Sequence, residues 1–166
     1  MWDKPKVLFL CTGHPERSEM AEGFLRVLAK DAIQPISAAM EPAPLDPLAV
    51  EAMNEVGIDI SHQMAKDLRT ALQERFAYVV GLGDKSKERC PVFPFAFRVF
   101  QWSLEDPLVV QGPTEQRLAA FRRVRNQIAH QVRELVDLAC QDKPKASLAR
   151  SADSIAARMQ FISRLA

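Results

Sequence analysis

Residues 6–25 read KVLFLCTGHPERSEMAEGFL, and this stretch decides the fold. Its first part, Lys6 to Leu10, is a short apolar run rich in β-forming residues, which predicts a buried strand. A loop that contains a glycine follows from Cys11 to Glu16. From Arg17 to Lys30 apolar residues recur at helical spacing, which predicts an amphipathic helix. The chain therefore opens with a strand, a tight loop and a helix, the unit from which α/β domains are built.

The rest of the chain continues this alternation of strands and helices. Asp46 followed by Pro47 is typical of a helix start, and Gly57 is typical of a helix end. Strands are predicted over residues 34–39, 76–82 and 98–102, and helices over 48–56, from Ser61 toward Ala71, over 114–138 and over 147–165. The expected fold is a three-layer αβα domain around a four-stranded parallel sheet, formed by residues 1–140. Residues 141–166 are expected to add a linker and a C-terminal amphipathic helix.

Length, charge and cysteine content limit the classes of function. A chain of 166 residues is long enough for one domain with a hydrophobic core, and a net charge of +1 argues against a nucleic-acid partner. No stretch is apolar enough to span a membrane or to act as a secretory signal. The three cysteines, Cys11, Cys90 and Cys140, are too few and odd in number for a disulfide framework. The expected location is the cytoplasm, where such thiols rest reduced.

The loop after the first strand is the candidate functional site. In an open α/β sheet ligands bind beyond the carboxyl ends of the strands. A loop that leads into a helix gathers backbone N–H groups and the positive end of the helix dipole, which favour an anion and lower the pKa of a thiol. Cys11 is therefore a candidate nucleophile, and Arg17 could bind two oxygens of an oxyanion. The Cys-x5-Arg spacing alone is a weak signal, and its position between a strand and a helix strengthens it.

Several motifs along the chain resemble one family. They resemble the thioredoxin-coupled arsenate reductases, which share the fold of low-molecular-weight tyrosine phosphatases. The resemblance covers residues 5 to about 136, nearly the whole predicted domain. The motifs are residues 7–13 (VLFLCTG), 17–23 (RSEMAEG), 41–50 (EPAPLDPLAV), 57–63 (GIDISHQ), 90–94 (CPVFP), 102–107 (WSLEDP) and 117–125 (RLAAFRRVR).

The resemblance implies a role for each matching residue. Cys11 would attack the oxyanion, Arg17 would clamp it, and Asp106 would act as general acid. Cys90 would correspond to one of two shuttle cysteines that the reductases add to the phosphatase fold. The remaining oxyanion-binding positions would be Thr12, Gly13, His14, Glu16 and Ser18, the last of which would hydrogen-bond the thiolate. The implied reaction needs no bound cofactor and no metal; its partners are arsenate or phosphate and an external thiol donor such as thioredoxin or a small thiol.

The sequence departs from the family at four positions. The family loop usually has Asn, Ser and Cys where this chain has His14, Pro15 and Glu16. Histidine takes left-handed backbone angles less readily than asparagine, and proline lacks an N–H group. A carboxylate about 4 Å from an anion would repel it by ~4 kcal/mol at an effective dielectric constant near 20. The first shuttle cysteine would fall on Gly83, so a relay of three cysteines is incomplete.

These departures keep other hypotheses open. One alternative is a phosphatase that acts through a phosphocysteine, although the paired tyrosines of tyrosine phosphatases are missing, since Tyr78 is the single tyrosine. Another is a catalytically silent relative that binds an anion or a protein partner, with the C-terminal helix as a surface for a homodimer. Metal binding by Cys11, His14, Glu16 and Cys90 has little support from their spacing.

Overall fold

A computed structural model describes residues 4–83 and 96–142 of the chain. Within these residues strands and helices alternate as the sequence predicts. The elements are β1 (Lys6–Cys11), α1 (Glu16–Ala29), β2 (Gln34–Ala39), α2 (Pro47–Asn54), β3 (Lys66–Asp67), α3 (Leu68–Ala71), β4 (Tyr78–Leu82), β5 (Arg98–Trp102), a 3-10 helix (Pro107–Val109) and α4 (Thr114–Gln141).

The five strands form one parallel sheet in the order β3-β2-β1-β4-β5. The expectation of four strands is therefore wrong in number, although the parallel α/β class is confirmed. The additional strand, β3, has two residues and pairs only with Ala38 and Ala39 at the end of β2. A polar pair such as Lys66-Asp67 lacks the apolar pattern by which a strand is recognised in a sequence.

The two faces of the sheet bury different side chains of β1. Val7 and Phe9 contact the core beneath α1, α2 and α4, whereas Leu8 and Leu10 face the smaller cluster beneath α3. All four side chains are at most 1% exposed. A strand buried on both faces must be apolar throughout, which explains the continuous run in the sequence. This run holds β1 in the middle of the sheet and fixes the position of the loop that follows it.

The helix predicted from Ser61 to Ala71 is wrong over its first half. Residues 61–65 are not helical, and the helix begins at Leu68. The reason lies in two aspartates that hold turns in place: Asp59 accepts a hydrogen bond from Ser61 N at 2.9 Å, and Asp67 caps α3 through Arg69 N at 2.8 Å. Such local side-chain bonds to the backbone compete with helix formation.

The capping predictions around α2 are confirmed. The side chain of Asp46 accepts a hydrogen bond from Leu48 N at 2.8 Å, with Pro47 in the first turn, and Gly57 has a φ of 77° just after the helix. The predicted C-terminal helix over 147–165 lies outside the described residues. No helix among the residues that the structure describes is long and apolar enough to cross a membrane.

Candidate active site

Cys11 is the last residue of β1, so it lies at the carboxyl edge of the sheet and between β2 and β4. Its side chain is fully buried. The loop that follows opens to solvent at Gly13 and His14 and returns to a buried position at Pro15, after which α1 begins at Glu16. The chain therefore brings the thiol, an exposed loop and a helix N-terminus to one place, as the sequence predicts.

The backbone of this loop is relaxed. Among the described residues other than glycine, only Lys30 has a positive φ, so His14 does not adopt the left-handed conformation. Pro15 occupies the N-cap of α1 with φ −82° and ψ −3°, angles that its ring allows. Its missing N–H group lies before the helix and interrupts no helical hydrogen bond. The substitutions in the loop are therefore compatible with the strand–loop–helix geometry.

Ser18 lies in the first turn of α1, and the hydrogen bond to the thiolate that the resemblance implies stays a prediction. Its hydroxyl donates to the carbonyl oxygen of Pro15 at 2.9 Å, and the same oxygen accepts from Glu19 N at 2.9 Å. The Ser18 hydroxyl thereby stabilises the first turn of α1, where Pro15 offers no capping side chain.

Arg17 points into the protein rather than into solvent. The residue is only 3% exposed, and its Nη1 donates to the carbonyl oxygen of Leu104 at 3.3 Å. Its Nη2 lies 3.9 Å from Oδ2 of Asp106. Leu104 and Asp106 both follow β5, so the segment after the last strand holds the guanidinium in the first turn of α1. The structure thus brings together two residues that are 89 positions apart in the sequence (106 − 17).

Asp106 has two structural roles at once. Oδ1 accepts a hydrogen bond from Leu108 N at 3.1 Å and caps the 3-10 helix, while Oδ2 faces Arg17. Its side chain is 33% exposed, so water and ligands can reach it. Capping of the 3-10 helix and a catalytic role of Asp106 are therefore compatible, because each uses a different oxygen.

The carboxylate of Glu16 is directed toward the loop before α2. Its Oε1 accepts a hydrogen bond from Asp46 N at 3.3 Å, and the residue is 4% exposed. Its Oε2 is buried and has no hydrogen-bond partner among the described residues. Asp46 is itself paired with Arg117 at 3.2 Å, which places a cation on this side of the site. Glu16 thus ties the start of α1 to the segment before α2.

Glu19 is a buried carboxyl group that the sequence did not single out. It is 0% exposed and accepts hydrogen bonds from Ala65 N at 2.5 Å and from Gln63 Nε2 at 3.4 Å. Burial raises the pKa of Glu19 to about 7, helped by the nearby charges of Glu22 and Glu16 and opposed by the hydrogen bonds from residues 65 and 63. An acidic residue inside a predicted helix gives no signal of such burial.

Glu22 of α1 and Ser37 of β2 are both buried and form a hydrogen-bonded pair. Here Ser37 Oγ and Arg26 Nη2 both donate to the carboxylate of Glu22. A guanidinium from the same helix therefore supplies positive charge to this carboxylate. Among the described residues no group of three or more His, Cys, Asp or Glu side chains could hold a metal ion.

The two other positions of the implied thiol relay are Gly83 and Cys90, and the third cysteine of the chain is Cys140. Gly83 is buried, and its backbone bonds to Trp102 O at 3.0 Å and to Leu104 N at 3.3 Å, so this position holds the end of β4 beside the end of β5. Cys140 is half-buried near the end of α4. Cys90 lies outside the described residues, and the structure does not test its predicted role.

Cys140 lies near the end of α4, close to the edge of the sheet opposite to the one that carries Cys11. Asp142, two residues later, accepts a hydrogen bond from the hydroxyl of Tyr78 at 2.7 Å, and Tyr78 is the first residue of β4. Because Tyr78 is in register with Val7, four residues of β1 separate this contact from Cys11, or about 13 Å at 3.3 Å per residue. A direct role of Cys140 in the chemistry at Cys11 does not fit this distance.

Comparison with known proteins extends the resemblance seen in the motifs. The sequence model described as low molecular weight phosphotyrosine protein phosphatase matches residues 6–151. The chain belongs to this family. Within it, the chain is 38% identical over 134 residues to a protein named arsenate reductase from Shouchella clausii, a match that covers 81% of this chain and 96% of the relative.

Solved structures of the family share the arrangement of this chain. A structure described as an arsenate reductase in oxidized state superposes with a TM-score of 0.69 at 31% identity, covering 80% of this chain and 96% of that one. A thioredoxin-dependent arsenate reductase from Corynebacterium glutamicum superposes with a TM-score of 0.63 at 25% identity, covering 84% of this chain and 64% of that one. The family assignment predicted from the motifs is therefore confirmed.

Proposed function

We propose that this family member is a thiol-dependent arsenate reductase in which Cys11 attacks arsenate bound by the loop of residues 12–18. The observation that carries the proposal is the buried guanidinium of Arg17, which lies beside Asp106 at the mouth of the Cys11 loop. A buried cation at a helix N-terminus is suited to an oxyanion, since both favour negative charge. The names of the similar proteins support arsenate as that oxyanion.

The reaction follows from the groups at the site. The Cys11 thiolate attacks arsenic, a bond forms between sulfur and arsenic, and an arsenate oxygen leaves as water after Asp106 donates a proton. A second thiol then attacks the sulfur of Cys11. The electron pair of the sulfur–arsenic bond goes to arsenic, which is reduced from As(V) to As(III), and the two sulfurs are oxidised to a disulfide. Arsenite leaves, and an external dithiol returns Cys11 to the thiol form.

The loop substitutions are compatible with this chemistry. Oε1 of Glu16 accepts a hydrogen bond from Asp46 N, which holds this oxygen on the side of α2. The N–H groups that remain on either side of Pro15 and the guanidinium of Arg17 are the donors that we assign to the oxyanion, with Thr12, Gly13, His14 and Ser18 forming the backbone of the loop. The fully buried sulfur of Cys11 requires the substrate to enter through the exposed part of the loop at residues 13 and 14.

The electron donor that we propose is a protein of the thioredoxin class. The thioredoxin dependence of the similar enzyme from Corynebacterium glutamicum supports it. The second thiol is either Cys90 or a thiol of the donor itself, because Gly83 provides no sulfur at the other shuttle position. A cytoplasmic location would supply such a donor in its reduced form.

Arsenite release in the presence of reduced thioredoxin, or of a small thiol, tests the proposal. We expect turnover by the wild-type protein and none by the Cys11→Ser variant. Asp106→Asn should lower turnover about 10²-fold, as loss of a general acid does, while its amide oxygen still caps the 3-10 helix. The matched control is Asp67→Asn, since Asp67 caps α3 in the same way and lies two strands away from Cys11, about 10 Å across the sheet. Absence of arsenite with both donors would refute the proposal.

Hydrolysis of a phosphomonoester is the second candidate function. The glycine at position 83, where the reductases have a shuttle cysteine, favours this function. A phosphatase of this fold needs no second thiol, because water attacks the phosphocysteine intermediate. The absence of a side chain at position 83 removes a group that only the reductase reaction would use. Release of phosphate from an aryl phosphate, lost in Cys11→Ser and retained without added thiols, would support this function.

A further inference from the structure

Glu16 places an acidic side chain in the first turn of α1, directly after the loop that we assign to the oxyanion. The residue is 4% exposed, although glutamate is normally among the most exposed residue types. Its Oε1 accepts a hydrogen bond from Asp46 N at 3.3 Å, whereas its Oε2 is buried without a hydrogen-bond donor within residues 4–83 and 96–142. Burial of a carboxylate oxygen without a donor costs free energy and calls for an explanation. The position of Glu16 beside the oxyanion loop provides one.

No lysine, arginine or histidine in the described part of the chain forms an ion pair with Glu16. The segment before α2 that faces it carries Asp46, whose Oδ2 is paired with Arg117 at 3.2 Å. Within α1, Arg17 points to the segment after β5, where its Nη2 lies 3.9 Å from Asp106 Oδ2. The two arginines near Glu16 are thus directed at other carboxylates, and Glu16 adds a negative charge to the first turn of α1.

The charge of Glu16 acts beyond its immediate contacts. Burial is the main cause of the raised pKa of Glu19, one turn further along α1, and the charges of Glu22 and Glu16 add to it. Solvent screens charges inside a protein far less than exposed ones. A glutamate carboxylate in the first turn of a helix lies within about 9 Å of an anion bound at the N-terminus of that helix. At this distance and an effective dielectric constant near 20, one unit charge changes the affinity for another roughly twentyfold.

Repulsion by a fixed negative charge depends on the charge of the bound anion. At neutral pH arsenate and phosphate are mixtures of a protonated monoanion and a dianion, whereas sulfate is a dianion without a proton. A dianion meets twice the repulsion that a monoanion meets. A protonated oxyanion also carries hydroxyl groups, which are donors for a carboxylate oxygen, and sulfate carries none. A buried carboxylate beside an oxyanion site therefore favours the protonated form.

We propose that Glu16 is a specificity-determining residue that selects a protonated, singly charged oxyanion over a dianion. This selection rests on the proposed function, because it concerns the same loop of residues 12–18. It identifies the substrate class as the monoanion of arsenate or phosphate and makes sulfate a poor ligand. The hydrogen bond from Asp46 N positions the carboxylate of Glu16, and the charge of the carboxylate performs the selection.

Protection of Cys11 from alkylation by phosphate and by sulfate tests this role of Glu16. Both anions are measured on the same full-length protein at the same pH, so any titration of the protein's own groups is common to the two. At about pH 6, where phosphate is mainly the monoanion, wild-type Cys11 should be protected by phosphate at a concentration about tenfold or more below that of sulfate. Glu16→Gln keeps an oxygen for Asp46 N and loses the charge, so this preference for phosphate should fall about tenfold, chiefly through tighter binding of sulfate.

Two further variants separate the charge from the hydrogen bond. Glu41→Gln is the matched control, because Glu41 is exposed in the segment that also carries Asp46, and solvent screens its charge. This variant should keep the wild-type preference for phosphate. Glu16→Ala removes the hydrogen bond as well as the charge, and its preference should fall as far as that of Glu16→Gln.

Three results would overturn the role of Glu16. The first is a wild-type preference for phosphate that Glu16→Gln retains, which would leave the proposed function intact because both anions still protect Cys11. The second is a preference that is lost in Glu16→Ala and kept in Glu16→Gln, which would assign the effect to the hydrogen bond with Asp46 N. The third is protection of wild-type Cys11 by neither anion, which would refute the oxyanion site itself and the proposed function with it.

Discussion

The guanidinium of Arg17 is almost completely buried, although arginine is normally one of the most exposed residue types. A buried charge is tolerated when it is hydrogen-bonded and paired, and here the carbonyl oxygen of Leu104 and the carboxylate of Asp106 provide these contacts. The neighbouring carboxylate of Glu16 is held on another side, at Asp46 N. Adjacent residues of α1 point about 100° apart, and this angle separates the cation from the anion.

Arg17→Lys should lower kcat/KM for arsenate by about 10²-fold without unfolding the protein, because lysine keeps the charge and loses the planar, two-pronged geometry. Steady-state kinetics and thermal unfolding measure the two effects separately. Arg123→Lys is the matched control, since Arg123 forms an exposed pair with Glu105 at 3.2 Å. Equal kinetics in the two variants would contradict the role of Arg17.

Glu19 predicts a dependence of stability on pH. Its pKa is raised from 4.5 to about 7 by burial, so between these values the folded protein binds a proton that the unfolded chain has released. The resulting stabilisation is fully present below about pH 4.5 and is lost as the pH rises through 7. Glu19→Gln cannot titrate, so it should be more stable than the wild type by about 2 kcal/mol at pH 8.5 and by much less at pH 5.

Urea unfolding at several pH values measures this difference. Glu51→Gln, on the exposed surface of α2, is the matched control and should follow the wild type at every pH. If Glu19→Gln and the wild type lose stability in parallel between pH 5 and 8.5, the buried carboxyl group is not the source of the pH dependence.

At the scale of elements, α1 connects the site to the rest of the domain. Its first turn carries Arg17 and Glu16, and its middle packs so closely against residues 58–60 that Gly23 has no room for a side chain. A Cβ atom at Gly23 would lie 2.8 Å from Ile60 Cγ2 and 3.2 Å from Ile58 Cγ2. Ile60 is 0% exposed, so any shift of its side chain must displace other core residues.

Gly23→Ala should therefore destabilise the protein by about 1 kcal/mol or more. Alanine favours a helix over glycine by up to about 1 kcal/mol, but overpacking of a core costs about 1–3 kcal/mol, so the clash prevails. Gly13→Ala is the matched substitution, because a Cβ atom at Gly13 has nothing within 4 Å. Thermal or urea unfolding should show a loss for the first variant and almost none for the second; a stabilised Gly23→Ala would contradict the close packing.

The sequence predicts those elements whose signals are local. Lys6–Cys11 is an apolar run, Asp46-Pro47 is a helix start, and the bounds of Gln34–Ala39 and Arg98–Trp102 are as predicted. Lys66–Asp67 was missed because two polar residues at a sheet edge are held by pairing to β2 and not by their own pattern. The boundary of α3 depends on which of several polar residues caps it, and the structure selects Asp67 instead of Ser61.

The sequence identifies several residues of the site, but it does not predict the contacts that these residues make. The Cys11 loop and Arg17 follow from the strand–loop–helix pattern, and Asp106 followed from the resemblance alone. The contact of Arg17 with Leu104 O, the direction of Glu16 and the burial of Glu19 each join segments far apart in the chain. Such contacts depend on tertiary packing, and they leave no pattern in the local spacing of residues in the sequence.

At the scale of the whole molecule, the parallel sheet separates the thiols. Cys11 is at the carboxyl edge, and Cys140 is near the opposite edge, where Asp142 contacts Tyr78. Along β1, about 13 Å separate Cys11 from the position in register with Tyr78, too far for a disulfide without large movement of the backbone. In the proposed reaction the second thiol is therefore Cys90 or an external thiol.

Serine substitutions distinguish these sources. Cys140→Ser should keep the wild-type rate of arsenite release with either thioredoxin or a small thiol, because its sulfur lies at the wrong edge. Cys90→Ser should lose the rate with thioredoxin and keep part of it with an excess of small thiol, which can attack Cys11 directly. Mass spectrometry of the oxidised protein should detect a Cys11–Cys90 disulfide; a disulfide that includes Cys140 would contradict this arrangement.

The most direct test of the central claim is the pH dependence of Cys11 alkylation, with and without arsenate. The reaction is followed on the peptide that contains Cys11, in the wild type and in Arg17→Gln. If the thiolate and the guanidinium share one oxyanion site, the wild-type thiol pKa should lie at least about one unit below the usual ~8.5, and arsenate should protect Cys11. Arg17→Gln should raise this pKa and abolish the protection. A thiol pKa near 8.5 that responds neither to arsenate nor to the loss of Arg17 would contradict the account.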